Sequence, residues 1–207
     1  MNGRIVLVMV LALGAVSAGC TVRSGGDPVP VARTGTSEPP FADILPPRTA
    51  ELDLRDVDPC RDLLTDRQLR ELRYDLGYAR APLPDHSDIH GGRDCTFSST
   101  GGAGGVDRNM ATLVGIATTE DARTWVADPA RAPAARPDVV TVDRFSALVL
   151  PHPRFPDDCL VVVDTAPGQY LEVSVSPAMG EEPAVDPYCA EARRVATMAI
   201  QTVSATR

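Results

Sequence analysis

The sequence predicts an α+β domain in which N-terminal and C-terminal helices pack on an antiparallel sheet. A capping-box pattern opens a helix at Thr65, and an apolar stripe with helical spacing follows Asp186. Between these two ends lie strand patterns, hairpin turns and one short helical stretch. This order of elements is typical of helices layered on one antiparallel sheet.

The first helix is predicted over Asp66 to Leu76. Thr65 and Gln68 have the spacing at which each side chain bonds the backbone amide of the other. Gly77 suits the C-terminal stop. Helical spacing is shown by Leu69, Leu72 and Leu76.

The first strand pair is predicted at Cys95–Ser98 and Asn109–Thr118. The glycine cluster at 101–105 lies between the two strands. It lacks the lysine and the strand-to-helix context of a phosphate-binding loop, and therefore indicates a hairpin turn.

A short helix is predicted over Thr119 to Ala127, and a mostly strand-like pattern over Val139 to Leu150. Glu120 and Asp121 fall in the first turn of the helix, where acids suit the helix dipole. Trp125 on this helix is expected to be a core or a groove residue.

The clearest hairpin joins Asp158–Asp164 to Gln169–Ser176 around Ala166-Pro167-Gly168. Its second strand alternates apolar with polar residues, which predicts one buried face and one solvated face. The apolar set is Leu171, Val173 and Val175, and the polar set is Glu172, Ser174 and Ser176.

The last predicted helix runs from Pro187 to about Val203. Asp186 suits the N-cap, and Pro187 suits the first helical position. The apolar stripe comprises Tyr188, Ala192, Val195, Ala199 and Val203.

Residues 1–19 have the pattern of a lipoprotein signal peptide. One positive charge precedes an apolar run, Ile5–Val16, which is too short to remain as a membrane span, since a span needs roughly 20 residues. Val16 to Cys20 resembles a bacterial lipobox, with small residues for the peptidase and a thiol for the lipid. Ser17 stands where leucine is commoner. Ordinary secretion, with Ala15-Val16-Ser17 as the cleavage site, is the alternative.

The cysteine count supports lipid attachment at Cys20. Exported thiols tend to oxidise in pairs, so an odd number needs an explanation. The chain has five cysteines, and lipid on Cys20 leaves Cys60, Cys95, Cys159 and Cys189. We therefore expect a protein held on the outer face of a cell membrane by lipid, with two or more acyl chains such as palmitate giving a stable anchor.

Composition divides the mature chain into a tether over 20–50 and a single extracytoplasmic domain over 51–207. The tether is rich in Pro, Gly and Ser and too poor in apolar residues to order itself, and its ~30 residues would span about 30 Å. Removal of the signal changes the formal net charge from −8 to −9, and the chain has no lysine. An acidic chain without a basic patch argues against nucleic acid and against direct adhesion to anionic lipid.

Each of the four remaining cysteines lies in a short motif. The motifs are Asp58-Pro59-Cys60-Arg61-Asp62-Leu63-Leu64-Thr65, Cys95-Thr96-Phe97, Asp158-Cys159-Leu160-Val161 and Asp186-Pro187-Tyr188-Cys189-Ala190. Together they resemble the motifs of the actinobacterial lipoproteins called the domain of unknown function 3558 family, over about Val57 to Val203. The chain departs from the family by one extra residue before Cys189 and at 143–147, where the family often has a glycine-rich turn.

The resemblance implies a lipid-anchored domain with two disulfides, no assigned activity and no defined site. Four cysteines allow three connectivities. We predict Cys60–Cys95 and Cys159–Cys189, because each pair follows the chain order and joins the N-terminal end of a helix to the start of a strand.

The sequence offers few groups for metal binding. Two of its three histidines lie in the cluster 85–90, but Pro82 and Pro84 favour a loop there, and no third histidine or free cysteine lies nearby. We therefore expect no metal site. The three histidines are His86, His90 and His152.

Nucleophilic catalysis is also without a sequence signal. There is no Gly-x-Ser-x-Gly elbow, no lysine, and no spare thiol once the cysteines pair. Adjacent acids such as Asp157-Asp158 and Glu181-Glu182 are expected to be solvated charges.

The expected function is therefore a non-catalytic envelope module, without a cofactor, that binds a ligand or a partner protein. Candidate partners are an envelope protein or a cell-wall ligand. A small envelope hydrolase is the alternative, because the two acids of a glycosidase can lie far apart in the chain. A concave apolar pocket lined by Trp125 or Phe145 would identify a ligand site.

Overall fold

The computed structural model describes residues 41, 43–74, 92–99, 110–128, 136–151, 157–177 and 185–207. These residues form a six-stranded antiparallel sheet with helices and two disulfides, which confirms the α+β class. In chain order the elements are α1 (Asp66–Leu72), β1 (Arg93–Ser99), β2 (Met110–Ala117), α2 (Ala122–Ala127), β3 (Asp138–Val142), β4 (Phe145–Pro151), β5 (Cys159–Ala166), β6 (Gln169–Pro177) and α3 (Val185–Thr206).

The sheet has the strand order β1-β2-β6-β5-β4-β3, and every neighbouring pair is antiparallel. Each residue of β5 is buried, because both faces of the sheet are covered at its centre. Two separate apolar clusters lie on the two faces.

The first face, which we call the helix face, carries α3 across β5 and β6. All five residues of the predicted apolar stripe of α3 are buried in this cluster. α1 lies beside α3, since the side-chain amide of Gln68 donates to the carbonyl oxygen of Met198 over 3.2 Å and the Thr202 hydroxyl donates to Gln68 over 3.0 Å.

The second face, which we call the strap face, is covered by α2 and by residues 43–48, which we call the strap. Leu45 of the strap is only 2% exposed and shares a cluster with Trp125 and Tyr170. The chain then crosses the end of the sheet, where the amide of Leu52 donates to the carbonyl oxygen of Thr165 over 2.9 Å. The strap belongs to the 20–50 segment that composition assigns to the tether.

Helix boundaries differ from the predicted ones, although the capping box at Thr65 is present. α1 ends at Leu72, because Arg73 adopts a left-handed conformation (φ 61°) and caps the helix, while Gly77 lies outside the described residues. α2 begins at Ala122, with Asp121 as its N-cap rather than inside its first turn. α3 begins at Val185, so the predicted cap Asp186 lies within the helix.

The predicted solvated face of β6 is wrong at Glu172, which is only 7% exposed. Strand alternation identifies which residues share a face, but a second covering layer is a tertiary feature.

The pattern at Val139 to Leu150 divides into β3 and β4 around Asp143, whose φ is 55°. Aspartate tolerates this left-handed conformation better than most residues, so the turn forms without glycine.

The disulfides join Cys60 to Cys95 and Cys159 to Cys189, the same two pairs that we expected. The first ties the segment before α1 to β1. The second ties the start of β5 to the first turns of α3. Both therefore fasten elements of the helix face.

Candidate functional site

Two arginines and two aspartates meet at the end of the strap face, beside the β5–β6 turn. Arg48 donates from Nε to Oδ1 of Asp164 over 2.8 Å and also bonds the carboxylate of Asp121. Arg123 lies with Nη2 3.4 Å from Oδ2 of Asp164. We call Arg48, Asp121, Arg123 and Asp164 the ion-pair cluster.

Local structure positions each member of this cluster. Asp164 precedes an irregularity in the pairing of β5 with β6. Asp121 caps α2 by accepting the amide of Arg123 over 2.9 Å, and also accepts the amide of Gly168 over 3.4 Å. Arg123 donates from Nη1 to the carbonyl oxygen of Leu45 over 2.7 Å, so the cluster holds the strap backbone as well.

Burial decides the electrostatics of the cluster. The side chain of Asp164 is fully buried, and this burial raises its pKa, an effect that the hydrogen bond and the charge of Arg48 only partly offset. Burial also acts on Asp121, but the amide of Arg123 and the guanidinium of Arg48 outweigh it, so the pKa of Asp121 lies below its ordinary value. The two arginines and two aspartates give the cluster a formal net charge of zero, which suits a structural role.

A second polar group lies on the helix face around Tyr74. The Tyr74 hydroxyl is 2.6 Å from Oγ1 of Thr112 and donates to Oε1 of Glu191 over 3.3 Å. The pKa of Tyr74 and the pKa of Glu191 are both raised, and burial is the main cause for each group. Nη1 of Arg194 lies 3.9 Å from Oε2 of Glu191, and Nη2 of Arg194 lies 2.9 Å from Oε1 of Glu71. The contact to Glu71 links α3 to α1. The phenol therefore stays neutral at ordinary pH and fastens α1 to the sheet.

Two buried carboxylates share one row of the strap face. Asp94 on β1 pairs with Gly115 on β2, which pairs with Glu172 on β6. Each acid is only 7% exposed. Because two strand spacings separate them, their backbones lie about 10 Å apart, with no side chain on the glycine between them. The register of the three strands therefore places two acids that are distant in the chain in one row, on either side of a glycine.

The aromatic residues singled out in the sequence are core residues. Trp125 is 3% exposed in the strap-face cluster, and Phe145 is 2% exposed in the helix-face cluster. Neither ring is presented at the surface, and the two lie on opposite faces of the sheet.

Several other sequence-derived candidates lie outside the described residues. They are Cys20, the three histidines His86, His90 and His152, and the pair Glu181-Glu182. Of the acid pair at the start of β5, Asp157 is exposed, whereas Asp158 is partly buried. Burial and the neighbouring Asp157 raise the pKa of Asp158 to about 6, so Asp158 is not an ordinary solvated charge.

Within the described ranges, no three or more His, Cys, Asp or Glu side chains are grouped as a metal site would require. In the same part of the chain, no helix has both the length and the apolar character needed to cross a bilayer.

The family model described as Protein of unknown function (DUF3558) matches residues 15–202. The chain belongs to this family. The match includes all five cysteines and every described helix and strand up to residue 202. No curated protein and no solved structure matches the chain.

The ion-pair cluster and the Asp94–Glu172 row were not predicted from the sequence of this DUF3558 member. Arg48 lies between two prolines and a threonine in a stretch that reads as linker, and its partner Asp164 is in a predicted strand. Glu172 was identified as one of an alternating set, but assigned to solvent. Among the members of the ion-pair cluster, only Asp121 was identified from the sequence, and it was placed in the first turn of the helix rather than at the N-cap.

Proposed function

We propose that this protein is a lipoprotein held on the outer face of the cell membrane by lipid on Cys20, after removal of residues 1–19. The supporting observation is that the other four cysteines are all paired. Pairing them leaves Cys20 as the odd thiol, in a lipobox-like context. The absence of lysine is consistent with a GC-rich actinobacterial genome.

The anchor is tested by expressing the full chain in a host with lipoprotein-processing enzymes. We expect the product to partition into detergent and to carry the mass of a diacylglycerol group, and Cys20→Ser to become water-soluble. The matched control is the double variant Cys60→Ser/Cys95→Ser, which loses a disulfide and keeps the lipid. An unmodified, water-soluble mature chain starting at Ala18 or Cys20 would contradict the proposal.

The domain beyond the tether is proposed to be a non-catalytic module that binds an envelope protein or a cell-wall ligand. Two clusters of titratable groups among the described residues hold parts of the fold together. The ion-pair cluster holds the strap, and the group around Tyr74 holds α1. Catalysis usually needs an activated nucleophile or an acid–base group within reach of substrate. No nucleic acid partner is proposed, given the formal net charge of −8.

Binding is tested by crosslinking in the intact envelope, comparing the full chain with a tether-only control that ends at Ala42, before the strap. A partner or wall fragment recovered only with the full chain supports the proposal. The triple variant His86→Ala/His90→Ala/His152→Ala should retain both folding and capture.

A small envelope hydrolase is the second candidate, favoured by the Asp94–Glu172 row. Inverting glycosidases hold two carboxyl groups roughly 6.5–9.5 Å apart, a separation that side chains in this row can reach. The test measures turnover of cell-wall glycan fragments by the unchanged full chain and by the variants Asp94→Asn and Glu172→Gln. The matched control is the variant Asp138→Asn, which changes an exposed acid. Turnover that both row variants abolish, with folding intact, would establish the hydrolase and overturn the binding module.

A further inference from the structure

The strap covers part of the strap face with few apolar contacts. Leu45 is its one fully buried apolar side chain, and Ile44 is partly buried. Polar contacts also attach the strap, through Arg48 to two aspartates and through Arg123 to the carbonyl oxygens of Leu45 and Pro46. A segment with little apolar burial belongs to the least stable part of a fold.

Neither disulfide encloses the strap. The first cysteine of the pairs is Cys60, so every residue before it lies outside both covalent loops. Both bonds fasten the helix face, where the larger apolar cluster also lies. Lifting the strap therefore breaks none of the contacts that hold α3 and α1 to the sheet.

A fixed point separates the strap from the rest of the N-terminal segment. Leu52 and Leu54 are buried in the helix-face cluster. Their amides donate to the carbonyl oxygen of Thr165 over 2.9 Å and to the side chain of Gln169 over 2.7 Å. The chain can therefore move up to Arg48 while residues from Leu52 onward stay in place.

We propose that the strap is a latch, closed by Arg48, that opens as a unit and uncovers the apolar surface around Trp125 while the rest of the domain stays folded. Arg48 connects the strap to both aspartates of the ion-pair cluster. Without it, the buried Asp164 keeps, among the side chains that the structure describes, the longer contact to Arg123. Since the strap directly follows residues 20–42 of the predicted tether, a pull on the proposed lipid anchor would act on the latch first. That link rests on the proposed function, whereas the latch itself does not.

The single tryptophan of the chain makes the latch measurable. The experiment uses the full chain with Cys20→Ser, so that its outcome is independent of lipid attachment. Arg48→Ala is expected to raise acrylamide quenching of Trp125 at least threefold. Hydrogen exchange of the β5 and β6 amides should stay within twofold of the parent. The matched control is Arg55→Ala, which removes an exposed ion pair to Asp53 beyond the fixed point and should change neither readout.

Two results would overturn the latch. Quenching of Trp125 that stays at the parent value in Arg48→Ala would show that the ion pairs do not hold the strap. Quenching that rises together with exchange of the β5 and β6 amides would show that the strap opens only when the whole domain unfolds. Arg48→Lys, which keeps the charge but loses the forked donor geometry, should fall between the parent and Arg48→Ala.

Discussion

Arg48 and Asp164 form an ion pair across 116 residues of chain, with Nε of the arginine 2.8 Å from Oδ1 of the aspartate. The aspartate side chain is fully buried, whereas the arginine side chain is 17% exposed. A buried carboxylate is stable only where a partner compensates for its lost hydration. The pair therefore makes a segment that reads as linker part of the folded domain.

Tyr74→Phe should lower the free energy of unfolding by about 1 kcal/mol, because it removes a buried hydroxyl that contacts Thr112 and Glu191. Urea unfolding of Tyr74→Phe, Thr112→Val and the double variant measures this effect. We expect the double variant to lose less than the two single losses added together, since each single variant leaves a buried partner without its contact. Strict additivity would show that the two hydroxyls do not act as a pair.

Asp158 should make the domain less stable as the pH rises from about 4 to about 6. Burial, followed by the nearby Asp157, raises its pKa to about 6, so in this window the folded state keeps a proton that the unfolded state releases. Proton uptake by the folded state stabilises it below the window, and this stabilisation is lost as the pH passes 6. Solvent screening of a partly exposed group reduces the effect to about 1 kcal/mol.

The measurement is urea unfolding of wild type and Asp158→Asn at intervals from pH 4 to pH 7. The variant should be the more stable of the two above pH 6, and its advantage should shrink as the pH falls to 4. Asp157→Asn is the control, and it should keep most of the wild-type slope because burial is the larger cause. Parallel curves for wild type and Asp158→Asn would contradict the assignment.

Sequence patterns predicted the elements that short-range interactions determine. The capping box at Thr65 and the stripe on α3 are encoded within a few residues, and both are present. The disulfide pairs also followed chain order. The capping box and the stripe require no knowledge of how distant segments pack.

The features that were missed depend on distant partners. The strap is buried through one leucine and through Arg48, whose partner is in β5. Glu172 is only 7% exposed, and alternation along one strand does not reveal whether the other face of the sheet is also covered. Asp94 and Glu172 share a row only because β2 lies between β1 and β6. The candidate site was therefore not predictable from local patterns.

Gly168→Ala should destabilise the β5–β6 turn by about 1 kcal/mol. Gly168 has φ +70°, a conformation that residues with a Cβ rarely adopt, while an added Cβ would meet no atom within 4 Å. The loss is therefore due to backbone conformation and not to a clash. Thermal or urea unfolding should place Gly168→Asn between wild type and Gly168→Ala, since asparagine tolerates this region better. An alanine variant as stable as wild type would show that the turn relaxes to another conformation.

Each disulfide should contribute roughly 3.5–4 kcal/mol to the free energy of unfolding, because the two loops are of similar length, with sequence separations of 35 and 30 residues. The test is urea unfolding of Cys60→Ala/Cys95→Ala and of Cys159→Ala/Cys189→Ala. Quenching of Trp125 in the folded forms serves as a second readout.

The strap lies outside both loops, so we expect large losses of stability without increased quenching in either double variant. A quenching increase that matches Arg48→Ala would show that a disulfide on the helix face also holds the strap. The latch would then not be an independent unit.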